Sequence, residues 1–351
     1  MKFIHASDIH LGASPESGRL RNQQREREIW NSFEKLLEVC EKEKTDLLLI
    51  AGDLFHRQPL LRELKEVNYL FSKLTVTQVV IIIGNHDYLK GDSYYRSFVW
   101  AKNVHLLLDE EVSYVELKNI ETTVYGSSYH SREITGKPYE KQYAKRLQKY
   151  EILMIHGGDE KHTPLKKEEL LELGYDYIAL GHIHKYMEIL PGKIAYCGAL
   201  EPTDMNDVGL HGYIRGELSN KGCSTKFVHA ASRENIHMDI EVSEKMTGYE
   251  LRELVKEKMG KNGVHNIYKL RLTGYKDPDT LFDLQALDIY GNVTEIEDCT
   301  KPAYNMKKIH QQNQDNILGG LIERLGNYPE DSVEYMALCE GVRALMETRK
   351  S

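Results

Sequence analysis

Apolar residues in the first half of the chain fall into two alternating patterns. Residues 2–7 form a short β-rich segment followed by polar residues, and the apolar runs at 46–51 (DLLLIA) and 78–83 (QVVIII) are continuous rather than alternating. Such runs predict strands buried on both faces. Between them, residues 26–44 have helical spacing, with Ile29, Trp30, Phe33, Leu36, Leu37 and Cys40 forming the apolar stripe. A second helical stretch is expected over residues 60–74. Further strands are expected at 104–108, 112–117, 122–125, 152–155, 177–180, 194–197, 213–218 and 225–229. The early part therefore reads as βαβ units and the later part as strand-rich. An α/β fold follows, with two packed mixed sheets flanked by helices.

The pattern changes near residue 232. A strand over 236–242, a helix over 247–259 and a strand over 268–272 predict a smaller α/β domain. Two helical segments near 315–325 and 332–348 then follow, separated by Gly326, Asn327 and Pro329. The last carries Leu338, Val342, Leu345 and Met346 at i, i+4, i+7 and i+8. The expected organisation is a main domain at 1–232, a small α/β capping domain at 233–310, and C-terminal helices at 311–351 whose apolar stripe either docks a partner or packs on the capping domain.

At 351 residues, about two domains are expected, on a prior of roughly 150 residues each. Hydrophobic residues make up 41% and charged residues 28%, which fits a folded globular chain rather than a disordered one. The opening MKFIHASDIH lacks the apolar stretch of a signal peptide. No run approaches the roughly 18 apolar residues of a membrane span. A cytoplasmic location without membrane contact is expected. The five cysteines show no framework spacing or CxxC pair, so reduced thiols are expected and none is assigned to metal. The net charge of −8 weighs mildly against nucleic acid. A divalent metal centre supplies compensating local charge, and so would a partner subunit.

Five short polar segments change the picture. Each follows a predicted strand: Asp8-Ile9-His10, Gly52-Asp53-Leu54-Phe55-His56, Gly84-Asn85-His86-Asp87, His156-Gly157-Gly158 and Gly181-His182-Ile183-His184. Polar residues at the ends of buried strands face the crevice beyond the sheet edge, where open α/β sheets bind ligands. Carboxylates and imidazoles without thiolates suit Mn, Fe, Zn and similar divalent ions. Asp8 and His10 are two apart, as are His182 and His184, so each pair can reach one ion, and Asp53 is the natural bridging carboxylate. Two such ions roughly 3.5–4 Å apart clamp a phosphoryl group and activate water. One histidine at a strand end is ordinarily structural. Five such segments, each after an apolar strand, are not readily explained that way.

The order DxH, GDxxx, GNHD, H, GHxH resembles the calcineurin-like metallophosphoesterase superfamily over residues 1–230. The resemblance implies a metallophosphoesterase sandwich in which Asp8, His10, Asp53 and His184 hold one metal, and Asp53, Asn85, His156 and His182 the other. Within that superfamily, DIHLG at 8–12 resembles the opening of the double-strand-break repair nucleases. GDLFH at 52–56 resembles their archaeal and eukaryotic members, many bacterial SbcD chains having another residue where His56 stands. The chain also resembles a Gram-positive variant of SbcD. YCGALE at 196–201 resembles their YxGS stretch, with Ala199 where Ser is usual. The resemblance implies a DNA nuclease, with 3′–5′ exonuclease action on duplex ends and endonuclease action on single strands. It further implies two divalent cations (Mn²⁺ first, with Mg²⁺, Fe²⁺ or Zn²⁺ as alternatives), a homodimer and an SbcC-like coiled-coil ATPase partner. His86 would be catalytic at the leaving oxygen, His56 would orient it, and Asp87 would orient His86 or a ligand.

Substrate contacts are expected from Arg19 and Arg21, read as a loop before the first long helix, and from Arg96 and Lys185. The aromatic stretch 88–100 reads as core packing, with Lys90 and Arg96 facing phosphate. His162 reads as a surface loop residue. Two rival readings remain open. One is an enzyme of the same fold acting on nucleotides, cyclic nucleotides or phosphoproteins. The other is a non-catalytic scaffold.

Overall fold

A computed structural model describes residues 1–14, 19–330 and 332–348, with side chains described for all of these except 19–23 and 347. The chain divides into two compact units, Met1–Asn235 and Ile236–Ser351.

In the first unit the elements run β1 (Lys2–Ala6), α1 (Arg19–Glu43), β2 (Leu47–Ala51), α2 (Leu61–Ser72), β3 (Gln78–Ile82), α3 (Tyr94–Ser97) and β4 (Val104–Leu107). They continue with β5 (Ser113–Leu117), β6 (Thr122–Gly126), β7 (Tyr150–His156), α4 (Lys167–Glu172), β8 (Tyr177–Gly181), β9 (Met187–Leu190), β10 (Ile194–Tyr196), β11 (Gly212–Ser219) and β12 (Gly222–His229). One six-stranded sheet has the order β12-β11-β1-β2-β3-β4, and the other β5-β6-β7-β8-β10-β9. Strands β1 to β4 pair in parallel, with β11 and β12 added antiparallel. In the second sheet β6, β7, β8 and β10 are parallel, with antiparallel edges at β5 and β9. The expected sandwich of two mixed sheets is present.

Continuous apolar strands explain the layering. Along β2, Leu48 and Ile50 point to a core shared with Ile29, Phe33 and Leu36 of α1 and Val67 and Phe71 of α2. The alternate residues Leu47, Leu49 and Ala51 point the other way, onto Ile152 and Met154 of β7 and Tyr177 and Ala179 of β8. Leu153, Ile155, Ile178 and Leu180 face outward onto Leu170 and Leu173 around α4. A strand buried on both faces needs apolar side chains at every position, so the alternation of a half-exposed strand is absent. Such strands hold few polar side chains, His5 of β1 and Glu151 of β7 being buried exceptions, and the candidate chemistry lies at the strand ends.

Helix α1 begins at Arg19, seven residues before the apolar stripe suggested. Its first turns are polar but made of good helix formers, which stripe counting passes over. Arg19 and Arg21 therefore sit in a helix rather than the expected loop, and their side chains lie outside the described residues. The 88–100 stretch holds only the four-residue α3, not a longer helix. Strand β9 escaped notice because none of its residues is buried.

In the second unit, the sheet order is β13 (Asn235–Val242), β14 (Ile267–Lys276), β15 (Val293–Asp298), with the short β16 (Lys301–Pro302) also on β14. Helix α5 (Gly248–Asn262) packs Leu251, Val255 and Met259 on this sheet. Helices α6 (Met306–Gln311), α7 (Ile317–Leu325) and α8 (Val333–Glu347) follow. Leu338 and Val342 of α8 are fully buried against Leu318 and Ile322 of α7, so its stripe is largely consumed by the helical pair. No helix among the described residues is long and apolar enough to cross a membrane.

Candidate metal centre

The loops after β1, β2, β3, β7 and β8 meet at one end of the two sheets. The β1 and β2 loops are locked together by backbone bonds. Asp8 N–H donates to Gly52 O (3.1 Å), His10 N–H to Asp53 O (3.0 Å) and His56 N–H to Leu11 O (3.1 Å). The Asp8 carboxylate accepts from the His182 N–H (2.9 Å) and the Ser7 hydroxyl (2.5 Å). Asp53 Oδ1 accepts from the His86 N–H at 2.9 Å.

Backbone geometry at these positions is unusual. Asp8, His10, Asp53 and His182 have φ of 49°, 53°, 51° and 93°. Non-glycine residues seldom occupy this region, and where they do the surrounding structure must hold them there. Two glycines make room for the side chains. A Cβ at Gly52 would lie 2.2 Å from His156 Nδ1, and one at Gly84 would lie 2.1 Å from Asp53 Oδ1.

The donor set fits divalent cations. His156 donates Nδ1–H to Ala51 O at 2.9 Å, which turns Nε2 inward. That Nε2 lies 2.9 Å from Asn85 Oδ1 and 3.4 Å from Asp53 Oδ2. His182 Nδ1 is 3.2 Å from the same Asn85 oxygen. On the other side of Asp53, His10 Nε2 is 3.1 Å from His184 Nε2 and 3.8 Å from Asp53 Oδ2. His184 Nε2 is 3.8 Å from Asp8 Oδ1. Nitrogen and oxygen atoms of Asp8, His10, Asp53, Asn85, His156, His182 and His184 thus converge at one place, a donor set that suits divalent cations. Among the described residues the candidate ligand clusters are Asp8, His10 and His184; Asp8, Asp53 and His156; His10, His56 and His86; and Asp159, His162 and His182.

The electrostatics agree. Burial would raise the Asp53 carboxyl, but the charge and hydrogen bond of His156, then His10 and His86, hold it well below the carboxylate range. Burial also works against a charged His156, yet Asp53 pulls its pKa up to about 9. His10, fully buried and crowded by other imidazoles, is pushed well down despite Asp53. Burial also works against a charged His184, yet the Asp207 hydrogen bond and the Asp8 charge raise it to about 9, so His156 and His184 both favour the charged form and His10 the neutral one.

His86 lies against this centre, its ring centroid 4.8 Å from that of His10 and 4.9 Å from that of His56. It donates Nδ1–H to His56 O at 3.2 Å and is exposed. Asp87 is buried beneath the turn. Its carboxylate accepts from Gly84 N–H (3.1 Å), Phe55 N–H (3.2 Å) and Tyr95 Oη (2.7 Å). It thereby ties the turn bearing Asn85 and His86 to the loop after β2. The aromatic stretch contributes Tyr95 to this core, while Tyr94 remains exposed.

The family pattern of calcineurin-like phosphoesterases matches residues 1–186. The chain belongs to the calcineurin-like phosphoesterase family. Its members bind divalent metals, consistent with the clusters above. The chain is 27% identical over 303 residues to the uncharacterized metallophosphoesterase YhaO of Bacillus subtilis, covering 78% of this chain and 72% of that protein. It is 29% identical over 218 residues to the DNA double-strand break repair protein Mre11 of Methanocaldococcus jannaschii, covering 59% of this chain and 58% of the relative. The corresponding Sulfolobus acidocaldarius protein is 24% identical over 270 residues, 69% of this chain and 67% of the relative.

Beside this candidate metal centre opens a cleft of about 640 Å³, lined by His56, Asn85 and His86, by Arg57, Lys90 and Arg132, and by Glu133. Lys90 is therefore at the site. Arg96 lies exposed on α3 and Lys185 exposed on the loop after β8, and neither lines the cleft. Sequence reasoning missed three residues. His162, expected as a surface loop residue, lies in the loop after β7, lines the cleft and has its ring centroid 4.4 Å from that of His182. Asp159 and Asp207 bond the histidines of GHIH. The Asp159-x-x-His162 spacing, just after His156, was the available signal.

Proposed function

We propose that this phosphoesterase is a two-cation DNA nuclease of the SbcD type. In this reading Asp8, His10, Asp53 and His184 hold one ion, and Asp53, Asn85, His156 and His182 the other, with Mn²⁺ the first candidate. The observation that carries it is the buried Asp53 carboxylate, whose Oδ2 lies 3.4 Å from His156 Nε2 and 3.8 Å from His10 Nε2. Bound there, a cation pair activates water and neutralises the charge developing on a phosphoryl group.

The protein's own groups do the rest. His86, held at Nδ1 by the His56 carbonyl, presents Nε2 to the cleft. In its protonated form it donates to the leaving 3′-oxygen. Arg57, Lys90 and Arg132 offer cations for flanking phosphates, Arg57 being braced by Glu63 at 2.7 Å. Support for DNA over smaller esters comes from the DNA double-strand break repair relatives and from a cleft lined by Arg57, Lys90 and Arg132. The duplex 3′–5′ exonuclease and single-strand endonuclease activities, the homodimer and an SbcC-like ATPase partner belong to the same proposal.

The test incubates the protein with Mn²⁺ and linear duplex DNA, single-stranded DNA, a cyclic nucleotide or bis-p-nitrophenyl phosphate. Cleavage of DNA is expected. Turnover of the small esters with both DNA forms untouched would favour a nucleotide or phosphoprotein phosphoesterase instead.

A further inference from the structure

The two histidines that close the site turn opposite ring nitrogens inward. His182 points Nδ1 at Asn85 Oδ1, and His184 points Nε2 at His10 Nε2. Each outward nitrogen meets a carboxylate from a separate loop. His182 Nε2 lies 2.8 Å from Asp159 Oδ2, and His184 Nδ1 lies 2.8 Å from Asp207 Oδ2.

Both carboxylates are set by their own loops. Asp159 Oδ1 accepts from the N–H groups of Lys161 (2.8 Å) and His162 (3.0 Å). Both Asp159 oxygens also lie 2.9 Å from His162 Nδ1. Asp207 Oδ2 accepts from the N–H groups of Thr203 (3.0 Å) and Asp204 (3.1 Å) and from the Thr203 hydroxyl (3.1 Å).

We propose that Asp159 and Asp207 are positioning residues that impose opposite tautomers on the GHIH pair. A neutral imidazole has one N–H and one lone pair, and a carboxylate only accepts. The N–H must therefore face the carboxylate, leaving the lone pair inward at Nδ1 of His182 and at Nε2 of His184. Partners of this kind fix ring orientation and raise ligand basicity, and their loss typically costs about 10- to 100-fold in metal affinity. The inference rests on the two-cation reading of the site.

The two loops make the conservative variants unequal. In Asp159→Asn, the two backbone donors keep the amide oxygen at the Oδ1 place, so the NH₂ faces His182 and favours the wrong tautomer. In Asp207→Asn, the backbone donors and His184 share one oxygen, so the amide oxygen stays there and the tautomer survives.

The test measures Mn²⁺ binding to chelator-stripped protein by competition, without DNA, alongside the thermal midpoint of the stripped protein. Asp159→Asn should weaken one of two ions about 10- to 100-fold, while Asp207→Asn stays within about threefold of wild type and Asp207→Ala weakens the other ion about 10- to 100-fold. In Zn²⁺-loaded wild type, long-range ¹H–¹⁵N spectra should show His182 protonated at Nε2 and His184 at Nδ1, a readout that holds even if a variant fails to fold. Unchanged affinity in a folded Asp159→Asn, the reverse tautomers, or a third ion held by Asp159, His162 and His182 would overturn the proposal. Absence of DNA cleavage alone bears on the nuclease reading and not on this one.

Discussion

His86 and Asn85 are neighbours in the chain but face different tasks. Asn85 Oδ1 sits between two imidazole nitrogens, whereas His86 stands exposed at the cleft. His86→Gln should lower kcat by about 10²- to 10⁴-fold, the usual contribution of a positioned acid–base group, with cation affinity little changed. Asn85→Ala should instead lose cation affinity, read by competition with a chelator. Equal loss of metal in both variants would merge the two roles. His5 shows a different kind of histidine. It is buried between the sheets, its Nδ1 3.0 Å from Tyr177 Oη and its Nε2 3.2 Å from Leu180 O. Burial, opposed by the Leu180 bond, pushes it from 6.5 down to about 3. It is neutral when folded and free to charge when unfolded. Its contribution is therefore complete above pH 6.5 and is lost as pH falls towards 3, at about 1.4 kcal/mol per pH unit. Denaturation of His5→Gln should show a shallower acid slope than wild type. Identical slopes would contradict the assignment.

At the scale of elements, the site lies at strand ends because the strand interiors are given over to apolar packing, with few polar exceptions such as His5 and Glu151. That is why DIH, GDLFH, GNHD, the lone His156 and GHIH were legible in the sequence: each interrupts an apolar run. The second tier was not legible. Asp159 and Asp207 lie in loops whose course depends on backbone turns at 159–162 and 203–207, and no periodicity reports these. Likewise α1 was read short because polar helix formers leave no stripe, and β9 was missed because it is a partly exposed edge. Two tests belong here. Gly84→Ala places a methyl 2.1 Å from Asp53 Oδ1, so the turn must shift. It should destabilise the fold by about 1–3 kcal/mol and weaken cation binding. In the second unit, Thr247 caps α5 by accepting from Glu250 N–H at 3.2 Å. Thr247→Ala should cost about 0.5–2 kcal/mol in denaturant unfolding and leave cation affinity unchanged.

For the whole molecule, an acidic chain of net charge −8 is proposed to act on a polyanion. The reading requires positive charge to be local, from bound cations and from the Arg57, Lys90 and Arg132 side of the cleft. Bound cations should also stabilise the fold, by about 2.7 kcal/mol per site when free ion is 100 times Kd, seen as a rise in Tm that a chelator reverses. The most direct test of the account is the number and placement of cations bound per chain. Crystals soaked in Mn²⁺ should show two anomalous peaks, about 3.5–4 Å apart and both touching Asp53. A single peak, or two that do not share Asp53, would contradict it.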